Sequence, residues 1–336
     1  MEARYWRRLD DNVVECGLCP WHCRIKDGQR GRCGVRQNRS GVLYALTYGR
    51  VTAVNLDPIE KKPLYHFHPG TMSYSLGTVG CNFRCAHCQN YEISQATIED
   101  AHLLEIPPEQ AVSEALATGC ASIAWTYNEP TIWFEYTYDT ARLAHEHGLS
   151  TVYVTNGYIT EEALTEISPY LDAFRVDIKG RERVYTKLCK AKLEPVLASA
   201  KLSFDLGMRV EVVNLIIRGY NDSQEDIEWL CRWVVNNLSS DVPVHFTRFF
   251  PYYRLNDVEP TPVETLERAY ETARAMGVHY PYVGNVMGHR YEHTYCPACG
   301  TLLIERKGFY ADLKLDKPVC PRCGASVPIV GLEGSA

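Results

Sequence analysis

The sequence lacks any run approaching the ~18 apolar residues of a membrane span, and its first residues, Met-Glu-Ala-Arg-Tyr-Trp-Arg-Arg, lack the apolar stretch of a secretion signal. It also lacks a basic excess: 35 Lys plus Arg stand against 41 Asp plus Glu, a formal charge of -6 at pH 7. Without a stripe of Lys and Arg there is no electrostatic footprint for nucleic acid or an anionic membrane, and neither is expected as a partner. A cytoplasmic location is the expectation. With 336 residues, 46% of them hydrophobic and 23% charged, the chain can build the core of one α/β barrel with small appendages.

Cysteine, by contrast, is abundant. Fourteen thiols without a secretion signal point to metal binding, because cytosolic thiols are kept reduced. All but three fall into compact groups; Cys120, Cys189 and Cys231 are left over and read as small buried hydrophobes. The central group, in Gly80-Cys-Asn-Phe-Arg-Cys-Ala-His-Cys-Gln89, is a C-x3-C-x2-C triplet of Cys81, Cys85 and Cys88 just after a strand-like run. Three thiolates this close suit an iron–sulfide cubane, since each can hold one iron and the fourth iron is left open to a substrate. A structural zinc ion wants four protein ligands, which argues against plain zinc here.

The outer groups each have four thiols. Cys296, Cys299, Cys320 and Cys323 follow C-x2-C-x20-C-x2-C, a ribbon whose two knuckles close a tetrahedral site, with zinc preferred over a rubredoxin-like iron or a second catalytic cluster. Cys16, Cys19, Cys23 and Cys33 satisfy either a zinc knuckle or a saturated four-iron cluster, and zinc is again preferred. His66 and His68 have metal-like spacing but sit on a proline-flanked loop, where ordinary polar roles are expected.

Between the outer groups, short β-rich runs alternate with helix-periodic segments. Strands are expected at 74–79, 122–127, 151–155, 173–178, 209–216, 244–249 and 279–283. Ser223 to Asp226 and a capping box at Thr261-Pro262-Val263-Glu264 should start helices, and Gly119, Gly148, Gly207 and Gly277 should end them. Such alternation fits a doubly wound sheet or a partial (β/α)6 TIM-type barrel. The barrel gains from the polar residues at strand ends, namely Asn128, Glu129, Asn156, Asp177, Lys179, Asn214, Arg248 and Asn285, which would meet at one mouth. The domains are then an N-terminal four-cysteine module and linker at 1–70, the barrel at 71–290, and the C-terminal ribbon at 291–336.

The triplet and these strand ends resemble the radical SAM superfamily. The resemblance implies a [4Fe-4S] cluster on Cys81, Cys85 and Cys88 whose free iron chelates S-adenosylmethionine (SAM), and one-electron cleavage of SAM to a 5'-deoxyadenosyl radical that abstracts hydrogen. The usual aromatic residue before the last cysteine is here His87, and the superfamily's Gly-Gly-Glu-Pro element is Tyr127-Asn128-Glu129-Pro130. The resemblance gives Glu129 to the SAM ammonium, through a charge-assisted bond. Asn156 is placed near its methionine or ribose, Asn214 at its ribose or carboxylate, and Asp177 with Lys179 at its carboxylate. Arg248 and Asn285, in Phe246-Thr-Arg-Phe-Phe-Pro251 and Tyr282-Val-Gly-Asn-Val286, fall around the adenine. Together with Asp57-Pro-Ile-Glu-Lys-Lys-Pro-Leu64 and the outer cysteine groups, the order of motifs is similar to that of the AmmeMemoRadiSam-system radical SAM enzymes, relatives of pyruvate formate-lyase activating enzymes. That resemblance implies a reductant such as ferredoxin or flavodoxin, and Memo-like and AMMECR-like proteins or a glycyl radical protein as partners. A reading from another class is a zinc-bearing interaction scaffold on a catalytically lapsed barrel.

Overall fold

Each β-rich run of the central region forms a strand in the computed structural model, which describes residues 1–332. After an edge strand β1 (Ala53–Pro58) come β2 (Met72–Gly77), β3 (Ser122–Trp125), β4 (Ser150–Thr155), β5 (Ala173–Asp177), β6 (Arg209–Ile216), β7 (Val244–Arg248) and β8 (Pro281–Gly284). Helices α1 (Pro108–Ala117), α2 (Phe134–Glu146), α3 (Glu161–Ile167), α4 (Glu194–Asp205), α5 (Gln224–Asn237) and α6 (Val263–Ala275) alternate with β2 to β8. The first pair, β1 with β2, is antiparallel, and every later pair is parallel. The sheet follows chain order from β1 to β8 without reversal. A doubly wound sheet reverses its order at a switch point. Monotonic order instead keeps every crossover on one side and curls the sheet into a partial barrel, as expected, with six helices and a seventh parallel strand. The strands β3 to β5 are buried almost throughout, because helices cover one face and the barrel interior the other.

The helix boundaries follow local chemistry. The Ser223 hydroxyl accepts from Asp226 N at the start of α5, and Gly119, Gly148, Gly207 and Gly277 all have positive φ. The capping box at Thr261 does not form. Pro262 takes the position before α6 with no side-chain cap, so Thr261 lies one residue too far out and its hydroxyl donates to Ile216 O on β6.

The N-terminal cysteines sit on a small antiparallel sheet of Trp6–Arg8, Val14–Cys16 and Arg24–Ile25, followed by the hairpin Arg36–Arg39 and Val42–Ala45. Two features fasten this module to the barrel. Arg36 forms a forked ion pair with Glu135 on α2 at 2.7 and 3.1 Å, both side chains 2% exposed. Gly80 has φ +87°, and a Cβ there would lie 2.5 Å from Cys33 O. Gly80→Ala is therefore expected to cost more than about 2 kcal/mol, combining left-handed strain with displacement of the module. A lowered midpoint in urea unfolding, with reduced iron uptake, is the expected measurement.

The C-terminal ribbon is the antiparallel sheet β9 (Thr294–Tyr295), β10 (Leu302–Lys307) and β11 (Tyr310–Leu313). Its Arg306 is fully buried against the linker, stacking 3.9 Å over the Tyr65 ring and donating to Tyr65 O at 2.9 Å and Thr294 Oγ1 at 2.7 Å. The linker in turn enters the barrel, where the amides of Tyr65 and His66 donate to Glu211 on β6, whose carboxylate also pairs with His245 at 2.7 Å. His66 bonds Tyr282 Oη at 2.7 Å and His68 bonds Ser150 Oγ at 3.1 Å, the ordinary polar roles expected of them. Burial lowers the pKa of His66 to about 3. Its folded value lies below its unfolded one, so the stability it contributes is present above the unfolded pKa of about 6.5 and is lost as pH falls toward 3. Lowering the pH from 7 to 5 should remove on the order of 2 kcal/mol through this group alone, and His66→Gln should flatten that slope in denaturant titrations.

Candidate functional site

The loop after β2 carries the cysteine triplet and is held from three sides. Arg84 N donates to Cys189 O at 3.0 Å and Ala86 N to Leu188 O at 2.8 Å, docking the loop on the π-helical turn Tyr185–Cys189. The Trp21 indole donates to Asn82 O at 2.9 Å from the N-terminal module. Asn128 completes the hold: its oxygen accepts from Thr78 N at 3.1 Å and its amide donates to Gly80 O at 2.9 Å.

Cys81, Cys85 and Cys88 line a single cavity of about 790 Å³ at the C-terminal ends of the strands, together with Asn128, Glu129, Asn156, Asp177, Lys179 and Asn285. This volume lies within the roughly 300–1,000 Å³ of small-molecule and cofactor sites. Glu129, 2% exposed, accepts from Thr131 N, Thr155 Oγ1 and Asn156 N, so its orientation is fixed. Burial pushes its carboxyl pKa up against those hydrogen bonds. Asn156 donates to Asn82 Oδ1 at 2.9 Å and reaches 3.7 Å from Cys81 Sγ, joining β4 to the cysteine loop. Asp177 lies between Arg175 (2.6 Å) and Lys179 (2.9 Å), and these two cations outweigh burial to hold its carboxyl low. Asn285, at φ +59°, donates to Arg248 O at 3.0 Å.

Two expected residues lie elsewhere. Asn214 is on the opposite face of β6 from Val213 and Leu215, which line the cavity, and its amide donates to Ile178 O at 2.7 Å. Arg248 turns from the cavity to Thr261 O at 2.8 Å and the Phe250 ring, and Thr247 takes the inward position on β7. The cause in both cases is the two-residue strand period, which sends neighbours to opposite faces.

The structure adds cavity residues that the motifs did not mark. Lys62 is buried there, bonded to Asp57 at 2.6 Å, and burial lowers its pKa to about 8. The conjunction of Asp57 with Lys61 and Lys62 in one short motif was the available signal. Arg175 offers a buried Nε, and His87 a buried Nδ1, with no hydrogen-bond partner among the described residues. Cys189, expected as a plain hydrophobe, has its sulfur within 4.8 Å of the ligand atoms of Cys85 and His87.

The donor set fits an iron–sulfur cluster. Burial pushes the Cys81 and Cys88 thiols up, and at Cys85 the hydrogen bond with Cys189 is the larger cause of the same shift, so bound cations are what would hold these groups as thiolates. Cys81, Cys85 and Cys88 line one space and their motif has no fourth cysteine, so a four-iron cluster held there would keep one iron without a ligand from the motif. The ribbon is different: all four of its sulfurs lie within 4.8 Å of one another, with contacts of 3.6 Å (Cys296 to Cys323) and 3.7 Å (Cys299 to Cys320), a spacing for one tetrahedral ion.

A barrel whose strand ends surround such a triplet defines a class of cluster-dependent enzyme, and comparison with known proteins gives the same class. Residues 75–234 match the model of the Radical SAM superfamily. The chain belongs to the radical SAM superfamily and is an enzyme of that type; the family implies a [4Fe-4S] cluster and SAM. It is 48% identical over 332 residues to the uncharacterized protein MJ0808 of Methanocaldococcus jannaschii, covering 98% of this chain and 99% of that one. It is 22% identical over 211 residues to the protein of the same organism named "Putative glycyl-radical enzyme activating enzyme MJ1632", covering 59% of this chain and 76% of that one. Among solved structures, Streptococcus suis SuiB shares the fold with a TM-score of 0.51 at 13% identity, over 68% of this chain and 52% of that chain. No helix among the described residues is long and apolar enough to cross a membrane.

Proposed function

We propose that this enzyme holds its cluster on Cys81, Cys85 and Cys88, cleaves SAM reductively there, and abstracts hydrogen from a protein substrate in the manner of an activating enzyme. The observation that carries the reading is the single cavity shared by the three thiols, Glu129, Asn156, Asp177 and Lys179. When bound, cluster and SAM together supply a 5'-deoxyadenosyl radical. The chain's own residues bind and orient. Glu129, locked by three donors, accepts the SAM ammonium; Lys179 and Arg175, flanking Asp177, face its carboxylate; Asn156 and Asn285 meet the ribose and adenine side, where the His87 ring offers a flat neutral surface, its pKa lowered by burial to about 3.

A protein substrate is supported by the mouth of the cavity, where Phe250, Met287 and Phe309 are 41%, 83% and 50% exposed. Exposed apolar side chains gathered at one rim mark a contact surface. The similarity to MJ1632 and the motif order support a glycyl radical protein, or Memo-like and AMMECR-like proteins, as partners, with ferredoxin or flavodoxin as electron donor. Zinc is the ion proposed for the ribbon, residues 1–70, 71–290 and 291–336 are proposed as the domains, and the fourteen free cysteines favour the reducing cytoplasm.

The test is anaerobic reconstitution followed by reductant and SAM, with 5'-deoxyadenosine as the readout; a fully loaded cluster that yields none would falsify the reading. Deuterium transferred into that product from labelled candidate proteins would name the hydrogen donor. Lys179→Met is expected to weaken SAM binding by about tenfold, the ~1.4 kcal/mol of one lost charge-assisted contact, at unchanged iron content. Asn214→Ala, whose side chain faces away, should leave SAM affinity within about twofold in the same calorimetric titration.

A further inference from the structure

The two outer four-cysteine groups are built differently. The ribbon sulfurs touch, with room for one ion. Cys16, Cys19, Cys23 and Cys33 instead wall a small closed space shared with Leu18 and Ile132, and among the described residues their sulfurs do not converge to the ribbon's spacing. A cubane separates its four thiolates more widely than a single ion does, because each binds a different iron.

Arg36 is an independent sign. It is 2% exposed and lines the same space; its terminal nitrogens bond Glu135 and Arg4 O, but its Nε–H has no partner. A buried donor left over in this way costs stability unless something accepts from it, and sulfide or thiolate sulfur can.

We propose that Cys16, Cys19, Cys23 and Cys33 hold a second [4Fe-4S] cluster, ligated at all four irons, that relays single electrons to the cluster at Cys81, Cys85 and Cys88. Full ligation leaves no iron open to a substrate, so electron transfer is its chemistry. The geometry suits the relay: Cys33 O packs against Gly80, next to Cys81, and Trp21 and Arg32 both donate to Asn82 O, at 2.9 and 3.3 Å. One electron enters from a low-potential donor protein of the ferredoxin or flavodoxin class and the same electron leaves to the second cluster, so no bond forms or breaks and the relay returns to its oxidised state. Only the destination of that electron rests on the function proposed above.

The test is the full-length Cys81→Ala, Cys85→Ala, Cys88→Ala triple variant, reconstituted anaerobically with iron and sulfide and reduced with dithionite. The expected result is about four irons and four sulfides per chain, with a spin-half signal of a reduced cluster, against about eight irons in the wild type. A triple variant free of iron and sulfide, with zinc in both outer groups, overturns the proposal. Should the variant not fold, the wild type decides, since about four irons with zinc at Cys16 to Cys33 is equally contrary. Adding Cys16→Ser and Cys33→Ser to the wild type should halve its iron. Failure to cleave SAM would leave all these metal counts unchanged, so the two readings fail separately.

Discussion

Cys88→Ala is expected to abolish 5'-deoxyadenosine formation, lowering the rate on the order of a thousandfold or more, equivalent to about 4 kcal/mol of barrier. The sulfur belongs to a half-buried residue, contacts Ser94 Oγ at 3.1 Å, and lines the cavity shared with the other two thiols. Loss of one ligand from a three-thiolate site leaves two irons without protein donors, which a cubane does not survive. Cys85 is a less clean choice, because the Cys189 sulfur lies beside it and could take its place. The check is paired: product by chromatography and iron by chemical analysis. Product retained at wild-type rate in a variant lacking the thiol would remove Cys88 from the site.

Glu135→Gln should be the most destabilising substitution outside the metal sites, by about 3–5 kcal/mol, the usual consequence of leaving one member of a buried ion pair uncompensated. Arg36 and Glu135 are each 2% exposed and join the N-terminal module to α2 across 99 positions of chain. The same carboxylate also accepts from Arg4 N at 2.7 Å, so Glu135 ties two points of the module to α2. Denaturant unfolding should show a lower midpoint, and the module should become protease-sensitive before the barrel does. Replacing both partners by apolar residues of similar size should recover much of the loss, since burying the pair itself carries a desolvation cost. Equal stability of Glu135→Gln and wild type would show that the module is held by packing alone.

Much of the barrel was legible because its signals are local. Runs such as Val-Tyr-Val-Thr at 152–155, and glycines at helix ends, state strand and stop within a few residues, and the triplet spacing states its chemistry directly. Strand parity was harder. Asn214 and Arg248 sit at the right height, but which face a strand residue takes depends on register against its neighbours, and only the paired sheet fixes that. Contacts between distant segments left no trace in sequence. Cys189 reaches Cys85 through a π-helical turn, and Arg175 enters the cavity from β5. Thr261 failed as a cap because the proline beside it took that position, a competition between two favourable signals.

The most direct measurement is the electron paramagnetic resonance spectrum of the reduced, reconstituted protein before and after SAM is added. The spectral component that disappears in Cys88→Ala should shift its g values when SAM binds, because the cosubstrate would occupy that cluster's open iron. If the component that Cys88→Ala removes keeps its g values at concentrations of SAM saturating its binding, the open coordination position in this cavity is contradicted.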